Sequence, residues 1–403
     1  VHFQLRLPNS SSKCDITLEP ASVDAGLFIW SITMNTDKYS ALSRQVRRFD
    51  IGTSNLAQFS PSSKSSFLAH ARQGSDTVKL IETTTGETIA KIAARSCTGL
   101  LFRPNPWLGF SQYTGEISVN ELIIADDNQL RRYLPTVGAF LNPLQVPDPT
   151  AIACDTTGRF LACGNGAGEI YLFDLDHPNS ASGQAVVEIR NLNIGALTGI
   201  AFVGNSLLAL SNSGSGFTAD LQFAACQTAF CATNLNCRQF CQAPALDLRN
   251  PLKNIAAFTL KLAADLNKYS PITFAAHPTF PQIALAAQWL LVCGLNGFQN
   301  SQYSLATTVR QIELLEFLPG NRIFVAGENA FEIHSAPLID TSEAEDEPVE
   351  SNFEKYGIKI GEDIPGLKKS LVYHLSLDAH TRIRAARQMG DTIAMACSYL
   401  RTR

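Results

Sequence analysis

The chain has 403 residues, 45 % of them apolar and 17 % charged, which is enough to bury a sizeable core and too apolar for a disordered chain. Its 32 basic and 36 acidic residues leave a net charge of -4, which excludes a histone-like polycation and any global attraction to nucleic acid or anionic membrane. Ten cysteines at irregular spacings exclude a small disulfide scaffold and point to a reducing intracellular setting, cytoplasmic or nuclear.

In chain order, Val1-His-Phe-Gln-Leu-Arg-Leu7 places apolar residues at Val1, Phe3, Leu5 and Leu7, the alternation of a half-buried strand. A unit then recurs: an apolar strand, a turn with Pro or Gly, a second strand, a tight turn and a third strand. Its opening reads Ile16-Thr-Leu18-Glu-Pro20, Leu56-Ala-Gln-Phe59-Ser-Pro61 and Leu100-Leu-Phe102-Arg-Pro104. It returns as Ile152-Ala-Cys154-Asp-Thr-Thr-Gly158, Ile200-Ala-Phe202-Val-Gly204, Ile272-Thr-Phe274-Ala-Ala-His-Pro278 and Leu315-Glu-Phe317-Leu-Pro319. The markers Leu18, Phe59, Phe102, Cys154, Phe202, Phe274 and Phe317 lie 41, 43, 52, 48, 72 and 43 positions apart, seven units with one enlarged by insertion. Periods of this size belong to propellers and solenoids.

Within the units, Ser65 to Ala71, Arg159 to Cys163, Asn205 to Leu210 and Asn321 to Val325 are short β-forming segments bounded by turn residues. Gly168-Glu-Ile-Tyr-Leu-Phe-Asp174 follows a glycine-rich turn, as the return strand of a hairpin should. The run Phe280 to Leu295 is broken by Pro281, Gln282 and Gln288 and reads as a buried strand pair, short of the roughly 18 apolar residues of a membrane-spanning helix. The last unit has three readable strands, ending with Ala330 to Ser335, so Val1 to Leu7 is expected to pair as its outer strand and lock a ring.

Three pieces are expected outside this repeat. An insertion of about 226–268 carries Leu252, Ile255, Ala256, Phe258, Thr259, Leu262 and Leu266 at helical spacing over Pro251 to Leu266. Asp340 to Glu350 holds six carboxylates and no basic residue, which marks an acidic linker at 337–368. In a C-terminal extension, 369–403, Ala379, Ile383, Ala386, Ile393, Cys397 and Leu400 form one apolar stripe, predicting a helix over Ser376 to Leu400.

Gly74-Ser-Asp-Thr-Val-Lys-Leu-Ile-Glu-Thr-Thr-Thr-Gly-Glu87 resembles the third strand and turn of a WD40 repeat, as does Gly158 through Leu175. Phe173-Asp174 and Ile81-Glu82 take the place of the family's Trp-Asp pair, and His277-Pro278 that of its first-strand turn. No Gly-His dipeptide occurs and no unit keeps both Trp and Asp, so the family's Asp-His-Ser-Trp relay is mostly absent. The resemblance, over roughly 14 to 336, implies an all-β, seven-bladed WD40-like β-propeller at 1–336. It also implies a non-enzymatic scaffold that binds other proteins within a larger assembly.

The chemistry-bearing constellations are few. Cys226, Cys231, Cys237 and Cys241 are a zinc candidate without a Cys-x-x-Cys pair, and scattered thiols are the simpler reading. Gly164-Asn-Gly-Ala-Gly168 has the composition of a phosphate-cradling loop, but a strand follows it where a helix is needed, so it reads as a hairpin turn. Arg47-Arg48-Phe49 and Arg131-Arg132-Tyr133 resemble the Phe-Arg-Arg-Gly motif of phosphoinositide-binding propellers, with no Gly following either pair. With Arg382, Arg384 and Arg387 they are the candidate contacts to partner proteins or RNA phosphates. The dispersed histidines, His2, His70, His177, His277, His334, His374 and His380, form no metal-spaced pair, and no Gly-x-Ser-x-Gly elbow exists. The expectation is therefore no catalytic residue, no cofactor and no metal. A subunit of a multiprotein complex is expected, with RNA processing or ribosome assembly as the leaning. A phosphoinositide-binding propeller of membrane trafficking or autophagy and a propeller enzyme with a loop-built site are the alternatives.

Overall fold

The computed structural model describes residues 2–5, 14–17, 27–34, 41–49, 56–60, 67–103, 120–175, 182–223, 246–259, 273–318, 321–336, 371–377, 381–389 and 392–399, apart from short breaks inside the longer stretches. These residues form antiparallel β-strands and no α-helix. Four strands come from the N-terminal region: β1 (His2–Leu5), β2 (Cys14–Thr17), β3 (Leu27–Met34) and β4 (Ala41–Phe49). A sheet then forms from β5 (Leu56–Phe59), β6 (Phe67–Ala71), β7 (Thr77–Glu82) and β8 (Thr88–Ala93). The next consists of β9 (Cys97–Arg103), β10 (Glu121–Asp126), β11 (Gln129–Leu134) and β12 (Ala139–Gln145). It is followed by β13 (Pro149–Cys154), β14 (Phe160–Asn165), β15 (Ile170–Asp174) and β16 (Val187–Ile189).

Another sheet comprises β17 (Leu197–Val203), β18 (Ser206–Ser211), β19 (Ser215–Leu221) and β20 (Leu252–Thr259). Then come β21 (Thr273–Ala276), β22 (Gln282–Ala286), β23 (Leu290–Gly294) and β24 (Gln302–Leu305). The sixth, β25 (Leu314–Leu318), β26 (Arg322–Ala326), β27 (Ala330–Ser335) and β28 (Leu371–Ser376), is extended at its outer edge by β1 and β2. The last is assembled from both chain ends in the order β29 (Thr381–Met389), β30 (Thr392–Tyr399), β3, β4.

The first strands of the sheets neighbour one another in the cyclic order β5, β9, β13, β17, β21, β25, β29 and back to β5. That arrangement is a β-propeller: sheets stand face to face around an axis, and apolar clusters fill the spaces between them. Between the β5–β8 and β9–β12 sheets, Val78, Leu80 and Ile92 meet Phe102, Leu122 and Ile124. Between the sheets of β25–β28 and β29–β30, Phe324, Phe331 and Ile333 meet Ile383, Ile393 and Met395. A sheet in such a stack is covered on both faces, so its middle strands are buried throughout and mostly apolar: every residue of β10, β14 and β15 is buried. Six of the repeat markers, Phe59, Phe102, Cys154, Phe202, Phe274 and Phe317, fall on first strands, and the buried strand pair expected in Phe280 to Leu295 is β22 and β23.

Local turn chemistry agrees. Gly168 sits at φ 81°, a left-handed conformation that the β14–β15 turn requires, and Asn165 Oδ1 accepts the N–H groups of Ala167 (3.1 Å) and Glu169 (2.8 Å). The glycine-rich segment is thus a hairpin turn, as its following strand implied. Asp174, in the place of the family's Trp-Asp aspartate, holds Arg159 through two bonds of 3.0 and 2.8 Å. That pair ties the start of β14 to the end of β15.

Two helix expectations and one marker are corrected. Ser376 to Leu400 is not a helix: β29 and β30 form a hairpin with Met389 opposite Thr392, leaving only Gly390 and Asp391 between them. Ile383, Ala386, Ile393 and Cys397 matched a helical stripe by accident, because a strand buried on both faces carries no alternation and the β29 register shifts between Ile383 and Ala385. The strands β28, β29 and β30 therefore pair within the propeller sheets. Over Pro251 to Leu266 the described part is β20, an outer strand paired with β19, and its helix-like spacing reflects an exposed sheet edge. Leu18 lies outside the described residues; β2, just before it, is an outer strand instead of a first strand, and β29 is the first strand of the closing sheet. The strand at Val1 to Leu7 joins the expected sheet as β1, but it adds beyond β28 through Leu5 opposite Leu375 instead of completing a three-stranded unit. The linker at 337–368 and the insertion residues 224–245 lie outside the described residues.

Candidate functional site

The first strands leave a cavity of about 600 Å³ near the axis, lined by β13, β17, β21 and β25. Its wall is made of alanine, glycine, threonine and apolar residues, including Thr198, Thr273, Ile200 and Phe274, and its sole ionisable lining residue is Glu316. Glu316 lies in Leu314-Leu-Glu-Phe-Leu318, a strand otherwise apolar. Burial pushes its carboxyl up to about 8, against the opposing pull of the Arg387 guanidinium. Arg387, on β29, gives a hydrogen bond to the Ser60 carbonyl (2.6 Å), tying the closing sheet to the end of β5. Gly199 admits the ring of Phe274 from the next sheet, into which a Cβ would project.

A second cluster sits on the sheet of β25–β28. Glu332, fully buried on β27, accepts hydrogen bonds from His334 Nε2 (2.9 Å), His374 Nδ1 (2.9 Å), Thr307 Oγ1 (2.7 Å), Thr308 Oγ1 (2.5 Å) and the Thr308 N–H (3.2 Å). Burial alone would raise its pKa, yet the donors from His334, His374 and Thr308 hold it well below the usual carboxylate range. One ionised carboxylate thereby fastens the segment between β24 and β25 to β27 and β28.

The third is the buried pair of arginines around Glu121. Arg103 Nη1 and Arg132 Nε reach the two Glu121 oxygens at 3.0 and 2.5 Å, and Arg103 Nε also donates to the Gly158 carbonyl. None of these side chains is more than 7 % exposed, so the group is structural.

Most of the arginines singled out in the sequence are engaged within the fold. Arg132 is the buried partner of Glu121. Arg131 stacks on Phe140 at 4.3 Å, lies 3.7 Å from Asp126 and donates to the Ala93 carbonyl of the neighbouring sheet. Arg382 binds Glu328 (3.1 Å) and Arg384 binds Glu313 (2.9 Å) and Ser398 Oγ (3.0 Å). Arg47 and Arg48 lie on β4, the outermost strand of the closing sheet, opposite Ile29 and Phe28. Cys226, Cys231, Cys237 and Cys241, with His177 and His380, lie outside the described residues. The described Cys97, Cys154, Cys163 and Cys397 are unpaired, and burial pushes each thiol up, Cys97 to about 12, which removes nucleophilic character. Buried His70 is held to about 4 by burial and by Lys79, and is neutral.

Among the described residues no three of His, Cys, Asp or Glu are grouped to hold a metal ion, and no helix is long and apolar enough to cross a membrane. Sequence reasoning missed Glu316 and Glu332. Their only signal was a single carboxylate inside an otherwise apolar strand, as in Leu314 to Leu318 and Ala330-Phe-Glu-Ile-His334.

No family model matches the chain, and no curated protein matches it. Among solved structures it is similar to the β-propeller domain of Cps50 (Swd1) from Myceliophteria thermophila, with a TM-score of 0.50 and 14 % identity over 76 % of this chain and 91 % of that one. Identity that low carries the fold alone. Together with the ring order of the first strands, it makes the fold of this chain a β-propeller.

Proposed function

We propose that the chain is a seven-bladed propeller acting as a non-enzymatic scaffold, an intracellular subunit that holds other proteins in a larger assembly. The observation that carries this reading is the use of its buried ionisable groups. Glu332, Glu121, Arg103 and Arg132 are consumed in bonds between strands and sheets, and the described thiols are protonated. The axial cavity offers one carboxylate and no second ionisable lining group to act with it, whereas acid–base or nucleophilic catalysis needs at least a pair in contact. Seven sheets with cyclically ordered first strands support the blade count.

The surface offers apolar contacts on outer strands and turns: Ile89 on β8, Val137 before β12, Phe140 on β12 and Ile255 on β20 are all exposed. Such residues suit protein partners. Within that class, a ribonucleoprotein assembly is the finer reading, with the Arg47–Arg48 pair of the outermost strand β4 as a candidate phosphate contact. Phosphoinositide binding is disfavoured, because Arg132 is buried against Glu121 and cannot join Arg131 on a headgroup. The test is affinity purification from the native cell with mass spectrometry, run on the wild type and on Phe140→Asp and Ile255→Asp chains. Loss of a reproducible partner set in either variant, with the fold retained, supports the scaffold; recovery of no stable partner by the wild type rejects it.

A further inference from the structure

The axial cavity has an occupant-shaped chemistry that the scaffold reading does not use. Its volume, about 600 Å³, is that of a small-molecule or side-chain site, and the side chains that line it are apolar apart from Thr198, Thr273 and Glu316. Glu316 accepts no hydrogen bond and makes no ion pair among the described residues. A carboxylate placed inside a protein without a hydrogen-bond donor is costly even with the Arg387 charge acting on it, and an incoming cation that donates to it would offset that cost.

The charged surroundings define which ligand fits. β13, β17 and β21 bring no charged side chain to the cavity, and β26 brings only Arg322 to the strand that carries Glu316. From β29, Arg382 and Arg384 are bound to Glu328 and Glu313, and Arg387 donates to the Ser60 carbonyl. The cation that acts on Glu316 is thus Arg387, whose hydrogen bond is given to the Ser60 carbonyl and not to the Glu316 carboxylate.

We propose that this cavity binds an alkylammonium or alkylguanidinium group, with the cation against the Glu316 carboxylate and the hydrocarbon stem along the apolar wall. Binding is an exchange: the Glu316 O–H bond breaks, its proton leaves to solvent, and the ligand's positive charge takes its place. The empty site holds the proton up to about pH 8. The cation must then compete with it, and affinity rises about tenfold per pH unit between pH 6 and pH 8. The stem and charge could belong to a lysine or arginine of a partner segment or to a free amine.

The experiment is isothermal titration calorimetry on the full chain with n-butylguanidinium chloride, n-butylammonium chloride and sodium butyrate, and with a blocked pentapeptide carrying one arginine among alanines. Both cations are expected to bind and butyrate is not. Paired runs in phosphate and Tris at pH 7 should show close to one proton released per cation. Glu316→Gln should weaken binding at least tenfold and abolish the pH dependence. A peptide that binds more tightly than butylguanidinium assigns the group to a protein segment; the reverse order assigns it to a small molecule. No heat from either cation at 10 mM, butyrate binding as well as the cations, or binding without proton release would overturn the proposal, and the last two are read on the wild type alone.

Discussion

Replacing Glu332 by Gln changes almost no volume and removes one charge at a point where five donors converge. A glutamine offers one carbonyl oxygen to those donors, and its NH2 group confronts whichever of them faced the other oxygen. On the Oε2 side these are Thr307 Oγ1 and His334 Nε2, the latter on a fully buried ring. Leaving buried donors without an acceptor costs about 1–3 kcal/mol each, and hydrogen bonds to a charged group are worth about 1.5–3 kcal/mol. Breaking a buried charge network by removing one partner costs about 3–5 kcal/mol. We therefore expect Glu332→Gln to lower unfolding free energy by about 3–5 kcal/mol at pH 7, read from urea titration followed by tryptophan fluorescence. The pH dependence has a definite sign. Glu332 titrates below its ordinary value of 4.5, so its contribution is fully present above that pH and is lost as pH falls through the depressed folded value. The gap between wild type and variant should hold from pH 7 to about pH 5 and shrink below about pH 4. A variant within about 1 kcal/mol of wild type at pH 7, or a gap that widens on acidification, would refute the reasoning. A double-mutant cycle with His374→Gln should show coupling on the order of 1–3 kcal/mol, since both groups share one hydrogen bond.

Glu316→Gln should act in the opposite direction: the wild-type carboxyl, held up to about 8, loses stability as pH rises from 4.5 to 8. The glutamine variant should be more stable than wild type at pH 8 by on the order of 2–4 kcal/mol, and the two should converge near pH 4 in thermal melts. Gly199→Ala places a methyl group into the Phe274 ring and should cost about 1–3 kcal/mol, with recovery in the Gly199→Ala, Phe274→Leu double variant. Glu121→Ala should be among the most damaging single changes, at about 3–5 kcal/mol, because Arg103 and Arg132 stay buried with no anion; Arg131→Ala should cost about 1 kcal/mol or less by the same urea assay. Deleting 369–403 should abolish cooperative folding, measured by circular dichroism and size-exclusion chromatography, because it removes β28, β29 and β30. A folded, monodisperse truncated chain would show that those residues are an appendage after all.

The repeat was legible because its physics is local. Phe59, Phe102, Phe202, Phe274 and Phe317 recur with a turn residue close behind, and each hairpin writes its own Gly, Asn or Pro. The strands β6, β14, β15, β18, β22, β23, β26 and β27 follow from such neighbouring signals. Two outer features resisted. β20 is an edge strand whose Lys253 through Ala257 face solvent, so no buried face disciplines its pattern. The hairpin of β29 and β30 is buried on both faces, so Ile383, Ala386, Ile393 and Cys397 carry no period that separates strand from helix.

The linear chain by itself determined the strand-turn-strand units, their repetition and the all-β propeller class, since each depends on residues a few positions apart. Only the tertiary structure decided how the ring closes, because β30 pairs with β3 across more than 350 positions and no local pattern records that partner. It also decided the roles of the charges. Arg132 and Arg131 are neighbours in sequence, yet strand alternation turns one to Glu121 and the other to Phe140 and the Ala93 carbonyl of the neighbouring sheet, and Glu316 meets its cavity only when four sheets stand around an axis.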